Sequence, residues 1–327
     1  MPVSDSLNLE PLIPSHVVLE IAATCNLHCL GCAIHGPMKC VTRPVGVMTT
    51  DVWQTAIDEI GGWGKPLTLS LNGGGEPLLH KRLADITCQA LSYPQLEIGF
   101  LTNGMLFDEQ WASFVVDNQM DWIAFSVDGV DPQDFNRLRQ GGDFELVEAN
   151  LVRLLELKKK TGRRKPQVLL NMVAYDDIVD QEEAFVSRWI EKVDKVMVSY
   201  YRNPPSSRRW PEGSLIERQP CPFLWSQIVI AWDGRIGLCC EDFNIDIELG
   251  RVGQGSLLDA WNGTRMAAIR AAHQVGEYAA MPLCHDCDTW ADRVLEETID
   301  NKKQIICARR LSQKVYTSMN KMDKQEK

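Results

Sequence analysis

The stretch VVLEIAATCNLHCLGC, residues 17 to 32, joins an apolar, β-branched run to three cysteines, Cys25, Cys29 and Cys32. The run reads as a buried β-strand, and the cysteines fall just past its C-terminal end. Three thiols offer a tetrahedral metal one ligand fewer than it needs, so one position stays open. Five similar runs follow: LTLSLN (67–72), LEIGFL (96–101), WIAFSV (122–127), QVLLNMV (167–173) and KVMVSY (195–200). Between them lie helical patterns such as TTDVWQTAIDEIGGW from Thr49, where Thr50 or Asp51 suits the cap, and FELVEANLVRLLELKKK from Phe144. Strand and helix units alternating in this way predict a parallel sheet, and right-handed crossovers curl it into a barrel or an arc of one.

In such a fold the C-terminal ends of the strands share one face, where ligands bind. The informative residues sit at those ends. The cysteines follow the first strand, NGGGEP (Asn72 to Pro77) the second and TNG (Thr102 to Gly104) the third. SVDG (Ser126 to Gly129) closes the fourth strand, and Asn171 lies on the fifth. Asp128 and Tyr200, also at strand ends, are placed to touch substrate or to serve as core and hydrogen-bonding residues. The tryptophans, Trp53, Trp63 and Trp232 among them, read as packing.

The 327 residues are 45% hydrophobic and 24% charged, the balance of a soluble globular protein with a substantial core. A net charge of -10 removes the general basic field that nucleic-acid binding draws on, so no such partner is expected. No apolar run approaches the ~20 residues that span a bilayer, and the start has neither a basic nor an apolar signal region, so the expectation is a cytoplasmic protein without a membrane partner. One basic run, KKKTGRRKP from Lys158 to Pro166, is either a solvated helix end and loop or a docking patch for an acidic electron carrier. An odd count of 11 cysteines argues against a disulfide framework and for clusters at metal-ligand spacing.

Three thiolates from one loop can hold three irons of a [4Fe-4S] cube, and the fourth iron then has no protein ligand. Zinc would need a fourth ligand, from His28 or His35. The second-strand motif favours the cube. Its glycines allow close backbone approach, and Glu76 supplies a carboxylate for the amino group of an amino acid-like cofactor. Together CNLHCLGC and GGEP (Gly74 to Pro77) resemble the cluster motif and the glycine-rich motif of the radical S-adenosylmethionine (SAM) enzymes. The resemblance implies an α/β fold, a partial (β/α)6 TIM-like barrel over residues 15–200. It also implies a [4Fe-4S] cluster on Cys25, Cys29 and Cys32, with SAM on its open iron and Gly74, Gly75 and Glu76 at the methionyl amino group. SVDG resembles the family's fourth-strand segment, which sets Ser126 at the ribose or carboxylate of SAM; Asp128 and Asn171 are grouped with it as cofactor contacts. The family usually has an aromatic residue just before the third cysteine, and here that residue is Gly31, so adenine stacking falls to some other side chain.

A tail (1–14) precedes the barrel, and residues 201–215, rich in Pro, Ser and Arg, read as a linker. A small α+β region (216–312) and a charged, frayed tail (313–327) follow. Within that region QIVIAWDGRIGLCC is a β-hairpin turning at Asp233-Gly234, short helices start at Ser256 and Thr264, and a last helix runs through ADRVLEETIDNKKQIICARRL. Cys221, Cys239, Cys284 and Cys287 supply four thiolates, enough to close a cluster completely. With LGRVGQGSLLDAW between them, they resemble the SPASM/Twitch auxiliary-cluster domain, here of Twitch type with one auxiliary [4Fe-4S] cluster; zinc is the alternative. Cys240 is an alternative to Cys239 and otherwise a candidate hydrogen-atom donor. Cys88 reads as a small core residue on a helix, while Cys40 and Cys307 stay unassigned.

The resemblance implies reductive cleavage of SAM to a 5'-deoxyadenosyl radical that takes a hydrogen atom from substrate, with flavodoxin or ferredoxin as electron donor. In an oxidation the auxiliary cluster would accept an electron; otherwise it would be structural. Since about fifteen residues precede the first strand, the expected substrate is a small molecule such as a sugar or aminocyclitol, turned over by an oxidoreductase or epimerase-type enzyme. The alternatives are a peptide-modifying SPASM maturase and a non-catalytic zinc protein of regulatory function.

Overall fold

The computed structural model describes residues 12–201, 218–278, 281–287, 289–291, 296–310 and 313–322. Six parallel strands stand side by side in chain order: β1 (His16–Leu19), β2 (Leu67–Ser70), β3 (Leu96–Thr102), β4 (Trp122–Ser126), β5 (Gln167–Ala174) and β6 (Lys195–Tyr200). The helices α1 (Thr50–Gly62), α2 (Leu83–Leu91), α3 (Glu109–Asp117), α4 (Pro132–Leu138), α5 (Phe144–Thr161) and α6 (Glu182–Trp189) connect them. The first and last of these strands do not pair, so the arc stays an open, partial (β/α)6 barrel.

Local sequence explains the connections. α1 buries Trp53, Ala56, Ile57 and Ile60, the three-and-four spacing of a stripe that covers a sheet. Its cap is Thr49 rather than Thr50 or Asp51, and Asp51 instead meets the helix dipole in the first turn. α5 is capped by the Asp143 side chain and stopped by Gly162, whose φ of 66° a glycine adopts without steric cost. The inward positions Asn171, Val173, Met197 and Ser199 of β5 and β6 are only half-buried, whereas β1 and β2 are buried almost throughout. The concave face therefore opens on the β5–β6 side.

The second half continues the same sheet at both edges. β7 (Gln227–Ile230) pairs in parallel with β1, and β8 (Arg235–Gly237) and β9 (Gly250–Arg251) follow as antiparallel neighbours. The β7–β8 turn falls at Asp233 and Gly234, where Gly234 has a φ of 84°. Helices α7 (Phe223–Ser226), α8 (Leu257–Asn262), α9 (Thr264–Gln274) and α10 (Pro282–His285) pack around this edge, α8 starting with a full capping box at Ser256.

At the other edge the structure departs from the expected helix and frayed tail. β10 (Glu296–Asp300), β11 (Ile305–Arg309) and β12 (Gln313–Ser318) form an antiparallel meander, β12 lies along β6, and a short α11 (Met319–Met322) follows. The β-branched pair Ile299 and Ile306 faces across the hairpin, and the Asp300 carboxylate accepts the Lys302 and Lys303 N–H groups at 2.9 and 3.0 Å in its turn. Charged residues at helical spacing had concealed these strand formers. Cys88 is exposed on α2 rather than buried. Apart from Tyr201, most of the expected linker lies outside the described residues.

Candidate active site

Past β1 the chain closes a tight loop, with Cys32 N–H on the Cys29 carbonyl at 3.0 Å and Gly36 N–H on the Cys32 carbonyl at 3.1 Å. Backbone N–H groups reach two of the sulfurs, Leu27 to Cys25 at 3.4 Å and His35 to Cys32 at 3.3 Å. Asn103 Nδ2 stands 3.9 Å from the Cys25 sulfur, and Arg139 stands 4.0 Å from that of Cys29. Burial pushes the Cys25 thiol up to about 11 and raises Cys29, and neighbouring thiols add to both shifts. Thiols crowded in this way ionise together only around a bound cation. His35 Nε2 donates to the Ala23 and Gly74 carbonyls at 2.9 and 3.1 Å, and His28 is exposed. Among the described residues no three or more His, Cys, Asp or Glu gather at the spacing of a single metal ion. Three thiols on one loop match the ligand number of a cluster that keeps one iron open.

The glycine motif is pressed against this loop. A Cβ on Gly75 would stand 2.2 Å from the Thr24 carbonyl oxygen, and one on Gly74 2.3 Å from Ile34 Cδ1. The Glu76 carboxylate, 2% exposed and raised in pKa by burial, accepts Thr102 Oγ1 at 2.8 Å, Asn103 N at 2.7 Å and Leu78 N at 3.1 Å. It ties β2 to the end of β3 and keeps one lone pair free. Asn72 Oδ1 is buried beside the motif with no partner among the described residues, an acceptor suited to an ammonium group.

Below the motif lies a buried ion pair that the sequence reading missed. The Glu20 carboxylate accepts Arg43 Nη1 and Nη2 at 2.8 and 2.5 Å, Gly74 N at 2.7 Å and Trp232 N at 3.2 Å. Arg43 Nε donates to the Phe243 carbonyl, and Asn244 Oδ1 accepts Thr42 N at 2.9 Å. Trp232 does more than pack: its indole N–H donates to the Pro44 carbonyl at 3.1 Å.

On the concave side, Asp128 is turned towards the protein. Its Oδ1 accepts Val173 N at 2.7 Å, and its Oδ2 lies 3.0 Å from Arg139 Nε, both side chains being nearly inaccessible. Ser126 is buried in register with Asn171, whose Oδ1 accepts Ser199 Oγ at 3.2 Å. Tyr200 faces β12, with the Lys314 ammonium 5.8 Å from its ring. Tyr175 and Tyr201 stack at 4.5 Å against Gly31, where a Cβ would stand 2.3 Å from Tyr201 Cε2 and 2.6 Å from Tyr175 Oη. The aromatic surface missing at position 31 is therefore present at the loop, delivered from the ends of β5 and β6.

Cys221, Cys239, Cys284 and Cys287 line one cavity with Leu238 and Trp290. Burial pushes Cys221 up to about 12, Cys284 up to about 11 and Cys239 well above the usual thiol range, and the other thiols of the set add to each. This is again a donor set that only a cation holds ionised. Cys239 forms part of the cavity wall; Cys240, half-buried, does not. Cys307 lies on β11 and bonds to Tyr316 and Thr298, far from this set, and Cys40 is exposed. The basic run lies at the opposite end of the strands, ~26 Å away along eight-residue β5. Its Lys158 pairs with Asp194 at 2.8 Å and Lys165 pairs with Asp121.

Comparison with known proteins finds two family matches. The profile of the Radical SAM superfamily matches residues 19–188, and that of the SPASM iron-sulfur cluster-binding domain matches residues 221–288. An uncharacterized protein of Treponema pallidum (strain Nichols) is 24% identical over 85% of this chain and 79% of its own length. BtrN in complex with AdoMet and 2-DOIA superimposes with a TM-score of 0.60 at 17% identity, covering 84% of this chain and 93% of BtrN. Streptococcus suis SuiB bound to the precursor peptide SuiA superimposes at 0.65 with 15% identity, covering 79% and 67%. Among the described residues no helix is long and apolar enough to cross a membrane.

Proposed function

Because the chain belongs to the radical SAM superfamily and carries a SPASM-type cluster domain, we propose that it is an oxidoreductase or epimerase-type enzyme acting on a small polyhydroxylated molecule such as a sugar or aminocyclitol. Cys25, Cys29 and Cys32 would hold the [4Fe-4S] cluster, and Cys221, Cys239, Cys284 and Cys287 one auxiliary cluster. When bound, the first cluster supplies one electron to SAM, giving methionine and a 5'-deoxyadenosyl radical that takes a hydrogen atom from substrate. The chain's own residues bind and orient. Asn72 Oδ1 and the glycine backbone take the amino group of SAM, Glu76 fixes the strand ends around it, and Ser126 faces its polar end. Arg139, neutralised by Asp128, sits beside Cys29, where its donors favour the thiolate.

The observation that carries the substrate class is the open β5–β6 side, where the neutral hydrogen-bonding groups of Asn171 and Ser199 stand half-buried beside the tyrosine stack. Such groups suit hydroxyls, and the likeness to BtrN with its bound ligand supports the same class. The likeness to peptide-bound SuiB supports a second reading, a peptide-modifying maturase.

The reconstituted, dithionite-reduced protein with SAM should release 5'-deoxyadenosine, faster when an accepted aminocyclitol or sugar is present, and Cys29→Ala should abolish it. Acceleration by peptides alone would favour the second reading. Zinc without sulfide, or an iron-loaded protein that makes no deoxyadenosine, would overturn the enzyme assignment.

A further inference from the structure

His273 on α9 is 1% exposed and lines the same cavity as the four auxiliary cysteines. The Cys221 backbone N–H donates to its Nδ1 at 3.3 Å, so Nδ1 is unprotonated and Nε2 carries the hydrogen. Tyr278 packs edge-on at 5.0 Å and fixes the ring plane. Among the described residues Nε2 has no hydrogen-bond partner. A buried N–H donor left unmade is costly, and one that borders a cysteine-lined cavity points to an acceptor inside it.

We propose that His273 donates a hydrogen bond from Nε2 to a sulfur of the auxiliary cluster and thereby raises that cluster's reduction potential. The proposal rests on the four cysteines being the ligands of that cluster. Reduction adds negative charge to the sulfurs, and an N–H dipole aimed at one of them stabilises the reduced state. The residue is a positioning group: it sets the electron affinity of the second site without touching substrate.

The test uses the full chain with Cys25, Cys29 and Cys32 replaced by Ala, so that only the auxiliary cluster is loaded, and follows its midpoint potential by EPR-monitored titration. His273→Phe should lower the potential by roughly a tenfold change in the reduction equilibrium, about 59 mV for one electron. His273→Gln, whose amide both accepts and donates, should restore most of it. Because His273→Phe risks misfolding, pulsed EPR of the same chain labelled with 15N-histidine gives a second readout, a weak nitrogen coupling to the reduced cluster. A loaded cluster with an unchanged potential in His273→Phe, or with no histidine coupling, overturns the proposal while leaving the ligand assignment standing. A chain that binds no iron and sulfide in this background overturns the ligand assignment and the proposal with it.

Discussion

The Glu20–Arg43 pair gives the sharpest test of how the two halves are joined. Arg43→Met removes the guanidinium and leaves a carboxylate of 3% residue exposure with only the Gly74 and Trp232 N–H groups. Breaking a buried pair by removing one partner costs about 3–5 kcal/mol. Over 327 residues, at about 2.1 cal/mol/K of unfolding entropy each, 1 kcal/mol moves the midpoint by about 1.5 °C, so the expected loss is about 4–7 °C. In Glu20→Gln/Arg43→Met no charge is buried and the amide oxygen can take the Oε1 position and keep Gly74 N, while Trp232 N loses its Oε2 acceptor, so part of the loss should return. The assay is anaerobic thermal unfolding of the loaded protein at one scan rate, with SAM affinity by calorimetry alongside. SAM binding should weaken in the single variant, because the Glu20 carboxylate that anchors Gly74 loses the guanidinium that holds it in place, and recover in the double. A midpoint within about 1 °C of the parent for Arg43→Met, or a double variant as unstable as the sum of its singles, would refute the reasoning.

Gly75→Ala should abolish SAM binding, since its Cβ would meet backbone rather than a yielding side chain, whereas Gly62→Ala, with nothing within 4 Å, should bind normally. Gly31→Ala should lower iron retention at the first site through its clash with the tyrosine stack, as read by iron and sulfide analysis. Arg139→Met should shift the first cluster to a more negative midpoint in an EPR titration, because it removes the cation beside Cys29. His16 is held below its usual pKa by burial, so the unfolded chain binds its proton first as pH falls below about 6.5. Stability should therefore decline from there towards the lower native pKa, and His16→Gln should flatten the drop in midpoint between pH 7 and 5.5.

The barrel was legible because its signals are local. Each apolar run and each helix stripe announces its own element, and the cysteine and glycine motifs sit at strand ends, where the topology must gather them. What escaped is long-range or conditional. Glu20 was visible as a carboxylate inside the apolar run VVLEIA, which demands a partner, but nothing local says that the partner is Arg43. Tyr175 and Tyr201 replace the aromatic residue absent at Gly31 from two other strands, a compensation that spacing cannot reveal. His273 looked like any helical histidine until the fold set it against the cysteines. The β10–β12 meander was hidden because charged residues fall at helical intervals, while its real determinants, Ile299 facing Ile306 and the register of β12 on β6, are cross-strand.

The joint between β1 and β7 decides how the two sulfur sites stand to each other. β1 ends four residues before the Ala23–Thr24 backbone that Gly75 presses on, and its Leu19 pairs with Ile230, the last residue of β7. β7 begins at Gln227, directly after α7, whose N-terminal side carries Cys221. The auxiliary site thus meets the sheet at the start of a four-residue strand and the first cluster loop follows the far end of its neighbour, an offset of ~13 Å along the strands. Main-chain pairing in a buried sheet fixes that offset, because a slip of one residue would turn Ile228 and Ile230, both fully buried, to the opposite face. Glu20 then locks the joint: its backbone N–H meets the Ile230 carbonyl at 2.9 Å, and its carboxylate meets Trp232 N on one side and Gly74 N on the other. A shift of the auxiliary hairpin at Trp232 would therefore pull on the same carboxylate that holds Gly74 N of the glycine motif, so this buried charge couples the two halves.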